Sequence, residues 1–375
     1  MRAERIVARG FRNLTDLDLL LPPAGGVFLG PNGHGKTNLL ELLYYPVLFR
    51  SLRGARDGEV ARHGDAGFQL KLSGSSGQAG TVTRGDWQVA VDFRTVEKQK
   101  RVLIDGSPAD RLSDAIGQWL AVAFLPTDLQ LIQGPAAVRR QYLDRVLALA
   151  NRAYLRALDR YRRALAQRNA ALRQQRTDLA AAFDGMLAGA GAEVVRLRLA
   201  WVREVNQRFQ GECDGLGEPT VLRMQYRGDD ALGEPTSWMP ALQRNLSRDL
   251  ARGMTSVGPH RHDLELRLGA RLLREVGSTG QQRTAAIALK LCELGTLESS
   301  ARSCPALLLD DVFAELDGNR QERLARRLSQ GNQELPQTFL TSPRSGELPS
   351  GFPLDRFEVS HGSVRRMVVS GELVA

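Results

Sequence analysis

Residues 26–45, GVFLGPNGHGKTNLLELLYY, constrain the fold of this chain more than any other stretch. A short apolar run enters a glycine-rich loop, and from Thr37 onward the apolar positions take helical spacing. The loop fits G-x-x-x-x-G-K-[ST], with Gly30, Gly35, Lys36 and Thr37 in the fixed places. In such a loop successive backbone N–H groups turn inward around phosphates, a curve that a Cβ would obstruct or forbid. The pattern assigns Gly30, Pro31, Asn32, Gly33, His34, Gly35, Lys36 and Thr37 to the cradle. Lys36 is expected to reach the β/γ-phosphates and the Thr37 hydroxyl to hold Mg²⁺. Strand, loop and helix in that order predict an α/β fold that binds a nucleotide.

Two later stretches narrow the chemistry. CPALLLDDVFAELD (304–317) carries an apolar run, Ala306–Leu309, that ends in Asp310 and Asp311. A carboxylate at the end of such a strand, beside the P-loop strand, is where a P-loop enzyme holds its Mg²⁺. Asp310 is therefore expected to join Thr37 at the metal, and Asp311 to polarise the attacking water as a general base. With Lys36 these acids form the expected catalytic set. In GSTGQQRTAAIALKLCEL (277–294), Ser278, Gly280 and Gln281 open a helical pattern in the S-x-G-Q order. They resemble the signature motif of ABC-type ATPases, where a helix start offers free N–H groups and a positive dipole end to a γ-phosphate. In that class the signature of one subunit closes on the nucleotide of another, which implies an ATP-dependent homodimer.

The rest of the chain sets the surroundings. Its 375 residues suffice for two domains. Acids interrupt the N-terminus, and no apolar run is long enough to span a bilayer, so a cytoplasmic protein without a membrane partner is expected. Cys213, Cys292 and Cys304 lack metal-ligand spacing, and His260 and His262 have no Cys or second pair beside them. Residues 1–125 read as strands and turns around one P-loop helix. From about 136, Tyr154, Leu158, Tyr161, Leu165 and Leu172, then Val194, Leu197, Trp201, Val205 and Phe209, mark apolar stripes of packed helices. Residues 211–260 read as loop, and DLELRL and RLLREV resume strand-like alternation from 263. The expected division is an ATPase head, 1–125 and 261–375, interrupted by a helical arm, 126–260. Between 136 and 210 stand 15 arginines against 6 acids, a surplus equal to the whole net charge of +9. A basic element of this kind suits a polyanion. Arg156, Arg160 and Arg163, three and four apart on one helix, are the expected contacts to such a polyanion.

Beyond the ATPase motifs, GFRNL (10–14), FLGPNGHGKTNLLE (28–41), FRSLRGARDGEVARHG (49–64), VLIDG (102–106), FLPTDLQLIQGPAAVRRQYLDR (124–145), GPHRHDL (258–264) and LLLDDVFAELD (307–317) span the chain. Together they resemble the RecF family of bacterial replication and repair ATPases, related to SMC-type heads. The resemblance implies an ABC/SMC-type P-loop head with an inserted helical arm and slow, DNA-stimulated ATP hydrolysis. It also implies binding to single-stranded, duplex and gapped DNA, and work with RecR and RecO in placing RecA. A glutamine coupling ATP to the insertion falls at Gln130 or Gln133. Two rivals fit less well. A transporter cassette needs a switch histidine where Thr341 and Ser342 stand, and an SMC-like tether needs arms of hundreds of residues.

Overall fold

A computed structural model of the protein describes residues 1–76, 85–300, 304–329, 336–344 and 354–367. The chain forms two compact units: a split unit, Met1–Pro126 with Leu297–Ala375, and a helical unit, Thr127–Thr296. The split unit opens with β1 (Arg2–Arg9), β2 (Leu17–Leu20), β3 (Gly25–Leu29) and the P-loop helix α1 (Lys36–Leu48). β4 (Gly67–Ser76), β5 (Gly85–Arg94), β6 (Gln99–Ile104), β7 (Ser107–Pro108) and β8 (Ala121–Phe124) follow. The helical unit contains α2 (Ala136–Ala150), α3 (Arg152–Arg173), α4 (Asp184–Gly215) and β9 (Leu222–Arg227). It continues through α5 (Trp238–Arg252), β10 (Asp263–Leu268) and β11 (Arg271–Leu272) to the long helix α6 (Thr279–Ser300), whose end belongs to the split unit. There β12 (Ala306–Asp310), α7 (Gly318–Ser329), β13 (Thr338–Ser342), β14 (Asp355–Ser360) and β15 (Ser363–Arg366) complete the second half. Shorter helical turns join these elements.

Among the described residues the split unit holds two six-stranded sheets, β2-β1-β4-β5-β6-β7 and β15-β14-β3-β13-β12-β8. The first is antiparallel, and β5 alternates along its length as a strand with one face on the core does. The second is parallel except for β15. Its strands GGVFL, AVAF, ALLLD and TFLTS are buried throughout, as expected of parallel strands covered on both faces. Phe28 packs between Phe339 and Phe357 at ring-centroid distances of 6.2 and 5.6 Å. Trp119 is buried, with its indole N–H 3.0 Å from the Leu43 carbonyl, and so fixes the back of α1.

In the helical unit, Asn151 caps α3 by accepting from the Ala153 and Tyr154 N–H groups at 2.8 and 3.2 Å. Tyr154, Leu158, Tyr161 and Leu172 of α3 are buried, as are Val194, Trp201, Val205 and Phe209 of α4. The expected apolar stripes are therefore the faces on which these helices bury themselves. β9 pairs with β10 and β10 with β11 in a separate three-stranded sheet.

Three readings of the sequence are corrected. Residues 211–260 are not simply loop: they contain β9 and the four-turn helix α5. RLLREV is a two-residue strand and a helical turn rather than a full strand. The strand that ends in Asp310 does not lie beside the P-loop strand, because β13 is hydrogen-bonded between β3 and β12. Among the described residues, no helix is long and apolar enough to cross a membrane.

Candidate active site

β3 delivers the chain into the glycine loop at the C-terminal end of the parallel sheet. At Gly30, with φ 156°, an added Cβ would stand 2.1 Å from the Val359 carbonyl oxygen of β14, so the loop passes closer to its neighbour than any side chain permits. The Lys36 side chain is buried, with its ammonium group 2.7 Å from the Gly30 carbonyl, 3.1 Å from the Pro31 carbonyl and 3.3 Å from Asn32 Oδ1. The loop thus holds its own cation at the centre of its curve.

The loop is also held from the far end of the chain. Gly362, in the tight turn between β14 and β15, donates its N–H to the His34 carbonyl at 2.9 Å and accepts from the Thr15 N–H at 3.0 Å. A Cβ on Gly362 (φ 80°) would lie 2.0 Å from the Asn13 carbonyl oxygen. The His361 ring packs on His34 with centroids 4.4 Å apart.

Thr37 and Asp310 meet as the sequence predicts. The Thr37 hydroxyl lies 2.9 and 3.0 Å from the two Asp310 carboxylate oxygens. Thr341, at the end of β13, donates to Asp310 Oδ1 at 2.8 Å and accepts the Asp311 N–H at 3.0 Å. In the sequence Thr341 marks only a departure from transporters. Its signal is a hydroxyl closing an apolar strand, and the β12–β13 register, which places Thr341 opposite Asp310, gives it a role. Asp311 follows in the left-handed region with φ 47°, a conformation that turns the chain sharply after the strand.

Electrostatics separates two buried carboxylates of this unit. Burial pushes Glu41 up, but hydrogen bonds from Arg12 at 2.9 and 3.0 Å, from Ser51, and from Arg53 at 2.7 Å outweigh it and leave it below the ordinary range. Asp310 is raised above that range, chiefly by burial and also by neighbouring Asp311, against the hydrogen bonds of Thr341 and Thr37 and the charge of Arg53. Its direct partners are hydroxyls, and among the described residues no cationic side chain pairs with it. A buried carboxylate beside a threonine hydroxyl is a hard-oxygen donor set that fits Mg²⁺, which favours few protein ligands and completes its shell with phosphate oxygens and water.

Ser278, Gly280 and Gln281 lie in the helical unit at the start of α6. Ser278 is exposed, its Oγ 3.2 Å from the Gln281 N–H, while Gln281 Oε1 accepts the Ser278 N–H at 3.0 Å. The S-x-G-Q motif is thus also a reciprocal capping box, which accounts for both Ser and Gln by local helix chemistry. Of the two candidate coupling glutamines, Gln133 donates to Gln282 Oε1 at 2.8 Å, and Gln282 donates to the Gly277 carbonyl at 2.9 Å.

Three of the fifteen arginines between 136 and 210 are internal. Arg139 pairs with Asp263 at 2.8 Å, Arg168 with Asp184 at 2.8 Å and Asp249 at 2.9 Å, and Arg198 with Asp144 at 2.6 Å, all three arginines being buried. Arg156, Arg160 and Arg163 are exposed on α3, and Arg163 is paired with Asp159 one turn earlier. His260 and His262 belong to this lattice: His260 Nδ1 is 2.5 Å from the Tyr161 hydroxyl and His262 Nδ1 2.9 Å from that of Tyr226. Burial, with nearby arginines, pushes both imidazoles down to about 4, so they are neutral near pH 7.

The chain matches the RecF/RecN/SMC N terminal domain family over residues 2–356. It is 39% identical to the DNA replication and repair protein RecF of Anaeromyxobacter sp. (strain Fw109-5), over 91% of this chain and 92% of that protein. The chain belongs to the RecF family. RecF of Chloroflexus aurantiacus is 36% identical, over 97% of this chain and 99% of its own. A solved structure of the recombination mediator protein RecF with ATP superposes with a TM-score of 0.87 at 26% identity, covering 98% of this chain and 97% of that one. The Smc head domain of Pyrococcus furiosus shares the fold alone, at TM-score 0.55 and 13% identity over 97% of this chain and 95% of its own. The architecture is accordingly the α/β ABC/SMC-type P-loop ATPase head with a helical arm, and membership of the RecF family makes the chain a P-loop ATPase.

Proposed function

We propose that this chain is an ATP-dependent DNA-binding ATPase of recombinational repair and replication-gap processing, in which ATP joins two copies around DNA and hydrolysis releases them. The observation that carries this reading is the meeting of Thr37, Asp310 and Thr341 beside the Lys36 loop. Gly30–Thr37 would cradle the phosphates, and Thr37 and Asp310 would hold Mg²⁺, which supplies neutralisation of charge on phosphate oxygens. Lys36, now held by the Gly30 and Pro31 carbonyls, has the reach and charge to turn to a β/γ-phosphate. Asp311, whose N–H donates to Thr341, would accept a proton from water. The names of the relatives, DNA replication and repair proteins, and the existence of an ATP-bound RecF structure support ATP and DNA as ligands. Partnership with RecR, RecO and RecA, a cytoplasmic location, and a functional division into head (1–125, 261–375) and arm (126–260) rest on family likeness.

The signature would act in trans: Ser278, Gly280 and Gln281 of one copy would close on the nucleotide of the other. In sedimentation velocity, ATP with Mg²⁺ should convert the monomer to a dimer. Asp311→Asn should lower turnover by about 10²-fold or more and lengthen the dimer lifetime correspondingly. Parental turnover and lifetime in that variant would remove Asp311 as the base. Ser278→Arg should bind ATP as a monomer without dimerising; loss of ATP binding by the monomer would instead refute the trans arrangement.

A further inference from the structure

Helix α5 lies outside the arginine-rich stretch and presents a different charge arrangement. Of its 15 residues, WMPALQRNLSRDLAR, the only acid is Asp249, which is fully buried and bonded to Arg168. Trp238, Ala241 and Leu242 share that inner face. Arg244, Arg248 and Arg252 stand four apart on the outer face, all exposed, each preceded by an exposed residue, Gln243, Ser247 and Ala251. At about 1.5 Å per residue the row runs about 12 Å. Among the described residues none of the three has an ion-pair partner. On α3, by contrast, Arg162 is paired with Asp144 and Arg163 with Asp159. Acids of the preceding turns, Asp229, Asp230 and Glu234, lie at the N-terminal approach, so positive charge grows toward the C-terminal end. There Arg173 lies against Gly253, and Arg261 reaches Met254 Sδ at 3.0 Å.

Helix-dipole compensation accounts for a cation in the last turn, Arg252, and not for Arg244. The row itself lacks the apolar and aromatic anchors that a protein interface buries at its centre. Evenly spaced guanidinium groups with no local counter-charge suit a polyanion whose charges repeat along a line. We infer that the Arg244–Arg248–Arg252 face of α5 is a contact surface for the phosphate backbone of DNA, sequence-independent in its recognition. The inference rests on the DNA-binding reading above and gives it a specific face.

The test replaces Arg244, Arg248 and Arg252 together by Gln, which keeps helix propensity nearly constant. Binding of a fluorescent duplex to the full chain with ATP is measured from about 50 to 200 mM salt, beside the parent and an Arg156→Gln/Arg160→Gln/Arg163→Gln variant. The α5 variant should melt and bind ATP as the parent does. Its slope of log K against log salt should be shallower by about 2.7, and its affinity at the lowest salt at least about tenfold weaker. A parent that binds duplex while the α5 variant keeps its slope overturns this inference alone, and a shift confined to the α3 variant moves the contact there. A parent that binds no DNA with ATP overturns both this inference and the functional reading. Loss of polyglutamate binding with duplex binding unchanged would reassign the row to an acidic protein and overturn the proposal.

Discussion

In the helical unit, buried Arg198 directs its guanidinium to Asp144 at 2.6 Å, the Tyr154 hydroxyl at 3.0 Å and the Pro259 carbonyl at 2.8 Å. In the split unit, buried Asp310 meets the hydroxyls of Thr37 and Thr341 and Asp311 beside it. The first arrangement is electrostatically closed: every strong donor has its acceptor, and the cost of burial is offset within the protein. The second is open. Burial raises the pKa of Asp310 and no paired cation offsets it, whereas that of Glu41, about one turn beyond the same loop, is lowered because hydrogen bonds from Arg12, Ser51 and Arg53 outweigh burial. A closed cluster fixes one conformation, and an open one can be completed by a ligand. A buried carboxylate therefore fixes structure where a cation pairs with it and stays open to a ligand where none does.

Breaking the closed cluster should have the largest effect. Arg198→Met leaves Asp144 paired only with Arg162, which is largely exposed, and strands the Pro259 carbonyl. The expected loss is about 3–5 kcal/mol, read by urea denaturation. A loss below about 1 kcal/mol would show that the lattice is not closed in the sense argued.

Acidification attacks the same lattice one histidine at a time, each by less than the loss of Arg198. His260 and His262 titrate near 4 in the fold and near the ordinary 6.5 when unfolded. The unfolded chain therefore binds more protons in that window, and stability is complete above pH 6.5 and falls as pH drops toward 4. Each histidine contributes up to about 3 kcal/mol to that fall. Hydrogen exchange should show α3 and α4 losing protection across this range, with His262→Gln reducing the pH dependence. Flat protection from pH 6.5 to 4 would contradict the assignment.

The smallest effect should have the opposite sign. Because the carboxylate of Asp310 is raised, its charge opposes folding above the carboxylate range, and the fold prefers the protonated form. Asp310→Asn should raise the nucleotide-free melting temperature at pH 7, a gain that shrinks as pH falls toward that range, while abolishing ATP turnover. A lower melting temperature at pH 7 would mean that the site is already satisfied without a cation.

Sequence patterns expose what is local. Gly30–Thr37, the Ala306–Asp311 strand end and the Ser278–Gln281 helix start were legible because each is a contiguous physical device. What escaped depends on chain segments meeting from far away. Thr341 gains its role from pairing with β12, 31 residues away in the Thr341–Asp310 bond. Nothing local sets Arg198 and Arg168 apart from their exposed neighbours, because their partners are Asp144, 54 residues distant, and Asp249, 81 residues distant. Helix α5 was read as loop because Pro235 and Pro240 crowd its start and its inner face is short. That misreading hid its arginine row as well.

The neighbours of β3 carry a consequence for synthesis. Val27 pairs with Leu340 on one side and Arg356 on the other, and Gly362 supports His34. The phosphate-binding loop is thus walled by strands that are translated long after it. An N-terminal fragment carries the complete phosphate-binding sequence without the walls that shape it. Nucleotide binding is then expected to need β13 and β14 as well as the loop itself, a requirement that a fragment without them does not meet.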